Sequence, residues 1–432
     1  MSGISLSYLS FSRLFLFLIA SAFIGIAISF ADLFLFHLFL FICTIVLFYK
    51  IKENQYSLDI GSLFNPHVSL LVIIFAWYLI SLFWAPSLEL GIKYNFYIFC
   101  GLFIVTSIVF FCTNIDELNQ MFKTLSVFVS IEIVIAFFES FTSFRMPISS
   151  HSSLSTFFGK EPVNFSVYDN IFLLSSIRPP TGFRWNTNDL AISMIIALPF
   201  FLCIRKTSIR ILGIFSITII IAMTASRAVF LALIFSFLLY LFLIKKKIGT
   251  IVLIVSISIG IFLGMNSFTE SDNPRINELA NSIQALIYYV SGDFDVGGSL
   301  EWRRELIENG LIAFKNTNGL GLGAGGSVAN QELIGPVAGR FTSMHNFWIE
   351  VFVEGGILIS VIGLFLIFNI IYNLFRISKS TKNQKIQYFS QSLFLSITTF
   401  IPAAIAASST IYFLPMWIMF GFAISLISIS KK

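Results

Sequence analysis

Charge is what this sequence has least of. Only 11% of its 432 residues are Asp, Glu, Lys or Arg, against about 25% in an ordinary soluble protein, while 57% are hydrophobic. A soluble globule has no interior large enough to hide so much apolar surface, which excludes a water-soluble domain. The net charge of +5 is small for this length, and no nucleic-acid partner is expected from it. Cysteine is nearly absent. Cys43, Cys100, Cys112 and Cys203 lie in or at the end of apolar runs without paired spacing, which argues against a disulfide framework and against a Cys-based metal site. The N-terminus has Arg13 ahead of an apolar run but no small-residue cleavage site, so that run reads as an uncleaved first span.

What is present is a succession of long apolar runs. A bilayer core of about 30 Å takes about 20 residues of helix. Twelve segments qualify: 14–30, 33–49, 68–84, 96–112, 121–141, 188–204, 209–225, 227–244, 248–265, 347–375, 389–407 and 411–429. The runs lack the alternation of a barrel, and backbone groups cannot go unpaired in lipid, so the segments must be helices. The expectation is an all-α polytopic membrane protein with about 12 transmembrane helices, residues 1–432 forming one integral-membrane domain.

Basic residues orient the spans, because cytoplasmic loops collect Lys and Arg. With the N-terminus inside, the inner loops hold Arg13, Lys50, Lys52, Lys123, Arg205, Lys206, Arg210, Lys245–Lys247, Arg376, Lys379, Lys382, Lys385, Lys431 and Lys432, and of the acids only Glu53, Asp59, Asp116 and Glu117. Two large loops, 142–187 and 266–346, then face the periplasm. In the second, 274–290 and 300–315 read as amphipathic helices, the latter with Ser299 as its candidate N-cap and an end near Asn318 and Gly319. The stretch Gly319, Gly321, Gly323, Gly325, Gly326 reads as a flexible turn, lacking the strand and helix that flank a dinucleotide fingerprint.

Basic residues on the outer side have no topological purpose and become candidates. Lys93, Arg184, Arg227 and Arg340 fall near span ends, where each could snorkel to headgroups or, together, hold an anion. Arg303 falls within the apolar face of Trp302, Leu306, Ile307, Leu311 and Phe314, so it either pairs with Glu301 or Glu308 or reaches a ligand phosphate. Of four histidines, His345 stands before a long apolar helix, where it could cap the helix or act as a neutral base. Asn346, Glu350 and Glu354 form a polar stripe on that helix, and Glu132 and Glu139 a similar pair on 121–141. Carboxylates inside membrane helices are expensive; they mark either function or internal pairing. Asp293-Phe294-Asp295 is the nearest thing to a metal-binding acid pair and reads as a solvated turn.

Four blocks resemble the O-antigen ligase and polymerase family of bacterial inner-membrane proteins. Gly182-Phe183-Arg184-Trp185-Asn186-Thr187-Asn188-Asp189-Leu190-Ala191 is similar to its glycine and Pro-Asn-x-x-Ala helix entry, with Thr187 where proline is usual. Ala225-Ser226-Arg227-Ala228 is similar to its Ser-Arg-Gly turn, with Ala228 for glycine. Arg303, a helix, then Gly321-Leu322-Gly323 is similar to its Arg, helix, Gly-x-Gly segment, with Ile307 where tryptophan is frequent. His345-Asn346 followed by Glu354 and Gly356 is similar to its His-Asn block. The resemblance spans about 75–375 in order. It implies a GT-C-like all-helical scaffold and an inverting, metal-independent transfer of glycan from an undecaprenyl-pyrophosphate donor, without cofactors. It implies His345 as the catalytic residue. Arg227, Arg303 and Lys93, with Arg184, Arg340, Asn346 and Glu354, would contact substrate.

The function expected is polymerisation of lipid-linked oligosaccharide repeat units on the periplasmic face of the inner membrane, among membrane lipids, with a chain-length regulator as a candidate partner. Ligation of finished polysaccharide to lipid A core is the alternative, transfer to protein a third of the same group, and a flippase the reading from another class. Against the flippase, the two halves show no matching repeat. The topology has a direct test. A reporter fused at Lys246 or Lys382 is expected to read cytoplasmic, and one at Asn164 or Asn281 periplasmic; reversal at any of them would break the orientation.

Overall fold

The computed structural model describes residues 11–30, 33–52, 65–160, 162, 179–224, 226–245, 299–337, 341–407 and 411–431. Thirteen helices organise them: α1 (Phe11–Ile24), α2 (Leu35–Lys52), α3 (Pro66–Ile80), α4 (Leu88–Phe111), α5 (Ile115–Phe141), α6 (Thr187–Cys203), α7 (Thr207–Thr224), α8 (Arg227–Leu239, continued by a π-helical turn Tyr240–Lys245), α9 (Ser299–Lys315), α10 (Gly326–Ile334), α11 (Phe347–Ser380), α12 (Gln384–Ala403) and α13 (Leu414–Ile429). The only sheet among the described residues is a two-residue hairpin, Ser29–Phe30 on Leu33–Phe34. The fold is all-α. Six helices are long and apolar enough to cross a membrane, and several shorter ones are equally apolar, as a polytopic membrane protein requires.

Eleven of the twelve expected spans coincide with described helices, and the twelfth, 248–265, lies outside the described residues, as does 274–290. Local signals set the starts. Asn114 accepts from the amides of Asp116 and Glu117 while Glu117 reaches back to the Asn114 amide, a capping box that opens α5 at Ile115 rather than at 121. Ser87 accepts from the Leu90 amide and opens α4 at Leu88 rather than at 96, so Lys93 lies inside α4, not before it. Ser299 is the first residue of α9 rather than its cap. The end of α9 falls where expected, with Asn318 and Gly319 both at positive φ, 51° and 84°.

Within the bundle α4 packs on α13, and α6 on α7, α8 and α12. Small residues set the approach: a Cβ on Gly101 would collide with the Trp417 ring, and one on Gly421 would press on Ile108 and Val105. Close backbone approach of this kind drives helix association in lipid, where burial of apolar surface contributes little. Seryl hydroxyls bridge other pairs, Ser396 Oγ donating to Ile196 O and Ser425 Oγ to Cys112 O, each at 2.7 Å.

The glycine-rich stretch is not a free turn. Helix α11 is interrupted at Gly356 (φ 76°, ψ −175°), which frees the carbonyls of Val353 and Glu354 and the amide of Ile357. The glycine loop supplies their partners: Leu322 N donates to Val353 O (2.9 Å), Gly323 N to Glu354 O (2.9 Å), and Ile357 N to Gly319 O (3.0 Å). Two backbones can lie this close only where Cβ atoms are missing; a Cβ on Gly321 would meet the carbonyl of Glu354 and the Gly356 amide, and one on Gly356 the carbonyls of Gly319 and Leu320. Glycine therefore converts an expected flexible segment into a graft across a broken helix. Gly321→Ala is expected to lower the apparent melting temperature in detergent, since the positive φ of 86° alone costs an L-residue about 1–2 kcal/mol before the collision. An unchanged melting temperature would mean that the loop is not held in the helix break.

Candidate functional site

Arg303, Arg227 and His345 are brought together from three separate elements. Arg303 lies on α9, Arg227 is the first residue of α8, and His345 immediately precedes the cap of α11. Arg303 is half-buried. Burial and the neighbouring Arg227 guanidinium both hold its pKa below the usual arginine value. Glu308, one of the acids that could have neutralised it, is paired with Arg304 instead, Oε1 to Nε at 2.8 Å; among the described residues no hydrogen bond or ion pair reaches the Arg303 guanidinium. Two guanidinium groups near enough to act on each other at a half-buried position repel, an arrangement that a negative group between them would relieve.

His345 has φ of 50°, a left-handed conformation that non-glycine residues adopt at a cost and that clusters at functional positions. Its placement is determined on both sides. The ring packs edge-on against Phe341 at 5.9 Å, and Phe341 lies 5.3 Å from the Trp302 ring of α9, next to Arg303. The preceding Met344 is buried in a cluster with Leu322 and Val353 and seats on α9 where Gly310 lacks a Cβ. His345 does not cap α11. Asn346 does, its Oδ1 accepting from the amides of Trp348 (3.2 Å) and Ile349 (3.3 Å). The imidazole is pushed down to about 4, by burial first and by Arg303 second, so at neutral pH it carries no charge. The neutral form was expected from the helix dipole; the dominant cause is burial.

The other expected residues take different places. Arg184 is buried at 4% exposure, with Nε 3.1 Å from Glu132 Oε1, Nη2 on Glu132 Oε2 (3.3 Å) and Ser193 Oγ (3.1 Å), and Nη1 donating to Phe23 O (2.7 Å). It neither snorkels nor stands ready for an anion. Glu354 is fully buried and accepts from Gly325 N (3.1 Å), Ser327 N (3.2 Å) and Ser327 Oγ (2.6 Å); both oxygens are committed to the loop after the glycine graft. Lys93 is exposed on α4, and Arg340, like Asp293 and Asp295, lies outside the described residues. Among the described residues no three His, Cys, Asp or Glu side chains gather as metal ligands would.

Glu139 was seen in sequence only as a costly carboxylate. Its oxygens accept from Thr181 N and Gly182 N (both 2.7 Å) and Met146 N (2.9 Å), tying both ends of the 142–187 loop to α5. Gly310 and Ser327, which seat His345 and the glycine loop, carry no signal in sequence alone. One measurement checks the electrostatics: the His345 imidazole is expected to titrate with a midpoint near 4, and Arg303→Ala to move that midpoint upward by removing the cation. A midpoint near 6.5 in the unmodified protein would show that neither burial nor Arg303 acts on it.

Residues 211–368, which hold Ser226-Arg227, Arg303 and His345-Asn346, match the family described as O-Antigen ligase. Along nearly the whole chain there is also a likeness to the teichuronic acid biosynthesis protein TuaE of Bacillus subtilis (strain 168), 22% identical over 425 residues, covering 95% of this chain and 82% of the relative. The resemblance read from the four blocks is borne out: the chain is similar over 211–368 to the O-antigen ligase family and over nearly its whole length to a polysaccharide biosynthesis protein.

Proposed function

We propose that the chain is a glycosyltransferase that extends a surface polysaccharide by moving a glycan from an undecaprenyl-pyrophosphate carrier onto the hydroxyl of a second lipid-linked unit, on the non-cytoplasmic side of the membrane. The observation that carries this is the pair Arg227 and Arg303 beside an uncharged His345. In the step, the bond from the anomeric carbon to the pyrophosphate oxygen breaks, and its electron pair leaves with the pyrophosphate. The acceptor hydroxyl oxygen attacks the opposite face of the same carbon, which inverts it, and its proton passes to His345. The arginines stabilise the negative charge that develops on the leaving group.

His345 with its pKa near 4 is a weak base while the site is empty. A pyrophosphate bound between the arginines would offset the field of Arg303 and raise the basicity of the imidazole, so the base becomes competent when the donor is present. Lys93 and Asn346 remain candidates for further substrate contact, as does Arg340, which lies outside the described residues, whereas Arg184 and Glu354 act by positioning. The orientation is supported by the opposite end of the bundle, where Lys385 pairs with Asp116 (2.7 Å), Lys379 reaches Leu243 O (2.7 Å) and Arg205 reaches Gln384 (2.6 Å). These cations lie in the loops that the positive-inside rule assigns to the cytoplasm. The family description favours a second reading, transfer of finished chain to a lipid acceptor, by the same residues.

An assay with purified lipid-linked repeat unit separates the cases. A polymerase gives a ladder from repeat unit alone, and a ligase gives product only when its lipid acceptor is added. Arg227→Ala and Arg303→Ala are expected to abolish product with insertion intact, and Arg→Lys to restore it only partly, because an ammonium cannot make two parallel bonds. His345→Ala is expected to slow transfer by about 10²- to 10⁴-fold with donor binding retained. A normal ladder from His345→Ala would remove it from the mechanism.

A further inference from the structure

A small pocket of about 40 Å³ that includes neither Arg227 nor Arg303 is walled by Arg184, Trp185, Asp189, Tyr412 and the Gly25–Ile26 turn. At about 10–15 Å³ for one water-sized group, it takes about three or four hydroxyl-sized groups, the edge of a sugar ring rather than the whole. Its polar walls are incompletely used. Asp189 is 7% exposed and its Oδ2 accepts from Asn186 Nδ2 at 2.9 Å, but among the described residues no hydrogen bond reaches Oδ1. The same holds for the Tyr412 hydroxyl, whose ring packs edge-on to Tyr97 at 5.8 Å.

Capping of α6 does not account for Asp189. Asn186 is the cap, its Oδ1 accepting from the Asp189 amide, and the free carboxylate oxygen is not needed by the helix. Arg184 has Glu132 as its direct partner, Nε 3.1 Å from Oε1, and Asp189 lies within the field of the same guanidinium without touching it. The Lys160 ammonium stands 5.7 Å from the Trp185 ring. Tyr412 lies within electrostatic range of both Asp189 and Glu350, and Glu350 is one turn into α11 from Asn346. The pocket therefore adjoins the start of the helix at which His345 stands.

We infer that this pocket is a saccharide subsite: it takes adjacent hydroxyls of a neutral pyranose, with Asp189 Oδ1 and the Tyr412 hydroxyl as hydrogen-bond partners and Trp185 as the stacking face. A carboxylate accepts from two neighbouring hydroxyls as it would from a forked donor, and an indole covers the apolar C–H face of a ring. A uronate is disfavoured, because its carboxylate would meet a wall in which two acids, Asp189 and Glu132, already share the one guanidinium of Arg184. The inference rests on the proposed transfer only for the identity of the glycan; the subsite would hold a sugar flanking the transfer point.

The test uses the full chain in lipid nanodiscs with methyl β-glucopyranoside, methyl β-galactopyranoside, N-acetylglucosamine and glucuronate as probes, read by saturation-transfer NMR at pH 7. At least one neutral sugar is expected to give a saturable signal and glucuronate none. Asp189→Asn and Trp185→Ala should weaken binding by about tenfold or more. Tyr412→Phe, which keeps the ring and its packing, weakens it without altering the melting temperature and so guards against misfolding. Arg303→Ala should bind the sugar normally. The inference is overturned by silence from every neutral sugar, by a signal indifferent to all three substitutions, or by a preference for glucuronate. If product formation proves independent of Arg227, Arg303 and His345, the transfer reading fails while the binding result stands.

Discussion

A carboxylate placed inside a membrane helix has no water to turn to, and this constraint organises the end of the bundle where the site lies. Glu132, Glu139 and Glu354 are each fully buried, and each takes at least one partner from a loop or loop-helix junction. Glu132 takes Arg184 and Ser193; Glu139 takes the amides of Thr181, Gly182 and Met146; Glu354 takes those of Gly325 and Ser327. Leaving one partner of such a buried pair unmatched costs about 3–5 kcal/mol. The loops have little freedom to leave, and long connections that would otherwise wander are pinned to helices α5 and α11.

The arginine pair depends on this pinning at one remove. Arg303 is on α9, whose Gly310 receives Met344. The glycine graft that follows α9 is locked to α11 through the break at Gly356 and through Glu354. The ends of three helices are thereby brought together at Arg227, Arg303 and His345, with α9 packed directly on α11. In the proposed transfer, an anion between the two guanidinium groups would relieve their repulsion and raise the basicity of His345.

Hydropathy and charge asymmetry made the spans legible, because lipid imposes the strongest constraint on sequence. The blocks around Arg227, Arg303 and His345 were legible as a resemblance, and the structure brings those residues together. What sequence concealed was whether a charge faces outward or inward. Arg184 stands at a span end like any snorkelling arginine, and only packing reveals its partner Glu132, 52 residues earlier in the chain. Lys93 was misplaced because Glu89 and Lys93 depress hydropathy over the first turns of α4, although Ser87 marks the true start. The glycine run looked flexible because glycine signals freedom of the unfolded chain; in a helix break the same missing Cβ permits contact between backbones.

Hydrogen exchange on the full chain in nanodiscs tests the central claim most directly, comparing Glu139→Met and Glu354→Met, which keep much of the volume and remove the acceptor oxygens. The account predicts that the amides of Thr181 and Gly182 lose protection in the first, and those of Gly325 and Ser327 in the second, with the helices unaffected in both. Unchanged protection at these amides would contradict it, and would mean that the loops are held by something other than the buried carboxylates.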